Sequence, residues 1–104
     1  MNKALFLLIL NFLFLGSLNS QENTFRNPVI RGDVADPSII KFGDKYYATG
    51  TSSEWAPFYP MFESKDLVNW RQIGHVFNKL PDWTVSSFWA PELYVHNNKV
   101  YCYY

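Results

Sequence analysis

The sequence predicts an all-β chain of the β-propeller class: about one and a half blades, preceded by a signal peptide. Short β-branched and aromatic runs recur along it, separated by brief polar turns. At a fixed offset, "PSIIKFGDKYY" lies over "PELYVHNNKVY": Pro37 falls on Pro91, Lys45 on Lys99 and Tyr47 on Tyr101, and Asp44 matches Asn98 in the turn. One such unit holds four short strands in roughly 50 residues, the size and content of a propeller blade. A β-sandwich also uses short strands and turns, but it does not call for the repeat.

The elements follow in chain order. "MNKALFLLILNFLFLGSLNS", residues 1–20, carries one basic residue, Lys3, then an apolar stretch from Ala4 to Leu15 broken by Asn11, then small polar residues. That is the layout of a secretory signal peptide. The apolar stretch falls short of the ~20 residues that span a bilayer as a helix, which weighs against a membrane anchor. The mature chain is expected from Gln21 to Tyr104, secreted or periplasmic, with no membrane association after cleavage. Gln21 to Gly32 is a polar lead-in. "SIIKF" and "YYATGTS" read as two strands joined by a tight turn at Gly43 and Asp44. "SEWAPFYP", Ser53 to Pro60, has two prolines and reads as a loop, with Trp55, Phe58 and Tyr59 available to stack on a ligand. "MFES" and "WRQIGHVF" read as the third and fourth strands, joined through "KDLVNW". After the loop "NKLPDWTVSS", the runs "PELYVH" and "VYCYY" repeat the strand–turn–strand pattern around Asn97 and Asn98.

A propeller needs at least four blades and so more than about 200 residues. Residues 21–104 are therefore expected to be the N-terminal part of an incomplete domain, and one blade with half of the next is not expected to fold stably alone.

Composition narrows the function. The chain has 9 basic and 9 acidic residues, and loss of Lys3 leaves a slight acidic excess, so there is no basic footprint for nucleic acid. The one cysteine, Cys102, excludes an internal disulfide and reads as a small side chain in a strand. His75 and His96 stand alone on different strands without ligand spacing, so neither a metal site nor a cofactor is expected. Aromatic residues make up 19% of the chain, enough for either an aromatic core or a sugar-stacking surface.

The chemistry centres on "DVADPSII", Asp33 to Ile40. As a helix N-cap, Asp36 followed by Pro37 would be well placed. However, Ile39 occupies the position where a capping box needs Glu or Gln, and Ile39 and Ile40 favour a strand. Pro37 is expected to push Asp36 toward extended geometry and to mark the first residue of a strand. The first strand of a blade lines the central channel, so a carboxylate at its mouth faces the space where a substrate would bind. An Asp-Pro pair at a loop-to-strand junction is also a common turn, and the bare sequence leaves both readings open.

"NPVIRGDVADPSIIKFGDKYYATGT", "ESKDLVNW" and "FWAPELYVHNNKVYCYY" together resemble the N-terminal part of glycoside hydrolase family 43. The resemblance implies a five-bladed propeller that cleaves arabinosyl or xylosyl linkages of plant polysaccharides with inversion, and hence a carbohydrate substrate. It implies that Asp36, in A-D-P-S, is the general base. It further implies that the acid Glu and the Asp that tunes it come from later blades. The W-A-P-E segment, Trp89 to Glu92, corresponds to a structural and pocket-lining motif. Trp89 thus reads either as an apolar wall that binds substrate or as core packing between blades, and Glu92 as a hydrogen-bonding anchor and not the acid; Trp55, on the loop Ser53 to Pro60, is the second substrate-binding candidate. Asp33 is not acidic in the family pattern and reads as a rim residue. A non-catalytic, secreted sugar-binding propeller would share the repeat and the aromatic pocket.

Overall fold

The computed structural model describes residues 24–52, 54 and 56–104. The expected signal peptide, residues 1–20, lies outside them. Among the described residues, six strands form: β1 (Ser38–Phe42), β2 (Lys45–Thr49), β3 (Phe58–Ser64), β4 (Trp70–Phe77), β5 (Glu92–His96) and β6 (Lys99–Tyr103). The first four make one antiparallel sheet in the order β1-β2-β3-β4, and the last two make a separate hairpin. This is one whole blade followed by the inner half of a second.

The hairpin turns are set by residues that accept positive φ. In β1–β2, Phe42 pairs with Lys45. Gly43 therefore takes the first central position, at φ 64°, as a II′-type turn requires. In β5–β6, His96 pairs with Lys99 across Asn97 and Asn98, at φ 48° and 57°, the pattern of a I′ turn. The β3–β4 connection is held by its own side chains. The Ser64 hydroxyl accepts from the amides of Asp66 (3.1 Å) and Leu67 (2.9 Å). The Asp66 carboxylate accepts from the amides of Val68 (2.9 Å) and Asn69 (2.7 Å) and from Asn69 Nδ2 (2.7 Å). The Asn69 side chain, then the Asn69 and Val68 amides, hold the Asp66 carboxyl well below the usual carboxylate range. "ESKDLVNW" is thus a turn held by its own side chains.

The two blades meet through polar and aromatic contacts. The Ser38 hydroxyl, on β1, accepts the Leu93 amide of β5 at 2.9 Å, with both residues buried. The first strands of successive blades are therefore neighbours, as the repeat predicts. Ser38→Ala leaves a buried amide without a partner and should lower stability by about 1–3 kcal/mol. Chemical denaturation of the complete propeller checks this, and an unchanged midpoint would count against the tie.

The aromatic core lies between β3, β4 and the segment leading into β5. Phe58, Tyr59 and Phe88 are buried there with Val76 and Phe77 against them. The Phe58 and Phe88 rings stack at 3.9 Å. Two expectations are corrected here. Strand β3 begins at Phe58, inside the segment read as a loop, and Phe58 and Tyr59 are core residues, not a stacking rim. Burial of two large rings outweighs the breaker signal of Pro57 and Pro60.

Candidate active site

Three chain segments converge at one end of the first blade: the entry to β1, the exit of β2 and the entry to β5. Asp36 stands at the first. Its backbone is left-handed, at φ 47°, which corrects the expectation of extended geometry before Pro37. Asp is among the residues that tolerate this region. Ala90, which precedes Pro91 and matches Asp36 in the repeat, has φ 43°. Both blades thus enter their first strand through the same bend.

Thr51 joins the three segments. Its amide donates to Ala35 O at 2.9 Å. Its hydroxyl donates to Asp36 Oδ2 at 2.9 Å and accepts the Ala90 amide at 2.9 Å. Asp36 is exposed, and its other oxygen, Oδ1, has no hydrogen-bond partner among the described residues.

Trp89 lies beside this junction with 57% of its surface exposed. Its backbone is fixed on both sides: its amide donates to Ser87 O at 3.0 Å, and its carbonyl accepts the Tyr59 hydroxyl at 3.4 Å. Burial pushes the Tyr59 phenol up to about 12. A few residues away, the Glu54 carboxylate accepts the Ser87 amide at 3.0 and 3.1 Å, tying the β2–β3 loop to the segment before β5. Trp55 lies outside the described residues.

The remaining candidates make no hydrogen bond to the Thr51 hydroxyl. Glu92 is exposed and makes no side-chain hydrogen bond among the described residues. Asp33 is exposed, also without such a bond. Glu63 pairs with Lys45 at 3.0 Å and with Arg71, bracing the outer strands. Cys102 is half-buried, and burial pushes its thiol up. A cavity of about 600 Å³ lined by Val29, Ile30, Val34, Pro37 and Ile39 is apolar and lies beside Asp36, not around it. Among the described residues, no group of three or more His, Cys, Asp or Glu is placed to hold a metal ion.

Sequence reasoning missed Thr51. Its partners lie 15 residues upstream and 39 downstream, and no local spacing rule marks such a contact. The one signal was the Gly-Thr pair directly after a strand.

The fold and this junction define a β-propeller chain that presents a carboxylate at the mouth of its first blade. The model of the family "Glycosyl hydrolases family 43" matches residues 25–104, and the chain belongs to that family. It is 41% identical over 78 residues to the non-reducing end alpha-L-arabinofuranosidase BoGH43B of Bacteroides ovatus, a match covering 75% of this chain and 15% of that protein. It is 38% identical over 99 residues to a beta-xylosidase of Formosa agariphila, covering 85% of this chain and 17% of that one. Among solved structures, the Bacteroides ovatus xyloglucan PUL GH43B superposes with a TM-score of 0.67 at 36% identity, over 75% of this chain and 17% of that chain. A GH43_12 protein retrieved from a capybara gut metagenome gives 0.65 at 36%, over 81% and 18%. The chain thus spans under a fifth of the length of each of these relatives.

Proposed function

We propose that this chain is the N-terminal part of a secreted, inverting glycoside hydrolase that cleaves arabinosyl or xylosyl linkages in plant polysaccharides or their oligosaccharides, with Asp36 as the general base. One observation carries the reading: an exposed carboxylate at the mouth of the first blade has one oxygen tied by Thr51 and the other open, beside an exposed tryptophan. Inversion needs two carboxyl groups about 6.5–9.5 Å apart, with room for water between the base and the sugar. Asp36 Oδ1 takes a proton from that water as its oxygen bonds to the anomeric carbon from the face opposite the leaving group. The glycosidic bond breaks, and the leaving oxygen receives a proton from an acid supplied by a later blade. Trp89 offers an apolar wall for the sugar ring. The names of the relatives, an arabinofuranosidase and a xylosidase, support these two sugars as substrates.

This segment holds the base without the acid and should be inactive alone. The complete propeller should hydrolyse aryl arabinofuranosides or xylosides, and proton NMR of the first turnovers should show the inverted anomer. Sugar binding without hydrolysis would favour a non-catalytic sugar-binding propeller. A retained anomer would overturn the role of Asp36.

A further inference from the structure

We propose that Thr51 is the positioning residue for the Asp36 carboxylate, an inference that rests on the reading of Asp36 as the base. A threonine hydroxyl has one proton to give and lone pairs to receive. The Ala90 amide donates into Thr51 Oγ1 at 2.9 Å, so the single hydroxyl proton is free for Asp36 Oδ2, also at 2.9 Å. The bond fixes which carboxylate oxygen is occupied and leaves Oδ1 for the water. Among the described residues, the Asp36 side chain has no other hydrogen-bond partner. Within this part of the propeller, the Thr51 bond is what sets its orientation.

The backbone around the pair is built to the same end. A side chain at Gly50 would place its Cβ 2.6 Å from Val34 Cγ1 and 2.8 Å from Ala35 O. The chain just ahead of Asp36 therefore lies directly on Gly50, where only glycine allows that approach. The next residue pins it, through the 2.9 Å bond from the Thr51 amide to Ala35 O. Thr51 thus holds the base twice, once through the backbone before it and once through its carboxylate. The β-branched side chain adds a restricted χ1, which keeps the hydroxyl on target. The same hydroxyl ties the base to Ala90, and so to the residue following Trp89.

The test uses the complete propeller. Thr51→Val keeps the shape and the amide bond to Ala35 O but removes the hydroxyl. A base displaced by about 1 Å costs on the order of 10²-fold, so kcat should fall by about 10- to 100-fold. KM should move less than about threefold: the Ala90 amide loses its acceptor in Thr51→Val, but Trp89 keeps its own backbone bonds to Ser87 and Tyr59. Thr51→Ser restores the hydroxyl and should return kcat to within about threefold of the parent. Should Thr51→Val fail to fold, Thr51→Ala carries the same expectation. Unchanged kcat in Thr51→Val, an equal loss in Thr51→Ser, or misfolding of both the Val and Ala variants would overturn the inference. Asp36→Asn separates the two readings. If it is inactive while Thr51→Val is fully active, only the positioning role falls. If it is active, the base assignment falls and the positioning role goes with it.

Discussion

Asp36→Asn in the complete propeller should lower kcat by about 10²- to 10⁴-fold, the usual worth of a positioned general base. The substitution is conservative in shape. The amide oxygen of Asn can still accept the Thr51 hydroxyl, which in the parent donates to Asp36 Oδ2 at 2.9 Å. The side chain therefore stays in place, but its free end can no longer take a proton from water. Sugar affinity, measured by calorimetry with an arabinosyl or xylosyl oligosaccharide, should change less than about threefold, because the pocket wall at Trp89 is untouched. Retention of most of the activity on aryl arabinosides and xylosides would remove Asp36 from the mechanism. A large loss of affinity would make it a binding residue instead.

The second large effect is on stability. Phe88 is 1% exposed, and its ring stacks on Phe58 at 3.9 Å and meets Tyr59 edge-on at 5.6 Å. It also faces Phe77 at 6.2 Å and Tyr104 at 6.0 Å. Phe88→Ala removes the centre of this cluster and should cost about 3–5 kcal/mol, as buried aromatic truncations do. Function should suffer as well. The Phe88 carbonyl receives the Ser52 amide at 3.3 Å, and the residue lies directly before Trp89 and directly opposite the exit of β2. Loosening it frees the wall and the Thr51 junction together, so KM should rise along with the loss of stability. Chemical denaturation of the complete propeller decides the point. A cost below about 1 kcal/mol would mean that the cluster is not the inter-blade core.

Some of this architecture could be read from the residues, for physical reasons that differ by element. The two inner hairpins were legible because Gly43 and Asn97–Asn98 are residue types that accept the positive φ a two-residue turn demands. The blade repeat was legible because the same strand–turn–strand solution recurs, and the structure extends it to the backbone bends at Asp36 and Ala90. The start of β3 was hidden. Local rules weigh Pro57 and Pro60 as breakers, whereas the fold weighs the burial of Phe58 and Tyr59. The bend at Asp36 was hidden too, because a following proline argues for an extended residue, while the bonds from Thr51 to Ala35 O and Asp36 Oδ2 act across the sequence. Trp89 was ambiguous in sequence between core and wall, since an aromatic next to Ala-Pro fits either. In the structure it is 57% exposed and stands outside the Phe58–Tyr59–Phe88 cluster.

The central claim is that Asp36 activates water and does not protonate the leaving group. The most direct measurement is kcat/KM of the Asp36→Asn variant, relative to the parent, across aryl glycosides whose leaving phenols differ in pKa. Loss of a general acid is masked by a good leaving group, whereas loss of the base is not, because water still has to be deprotonated. The role assigned to Asp36 predicts the same deficit across the whole series. A deficit that shrinks toward nothing as the leaving group improves would make Asp36 the acid and contradict it.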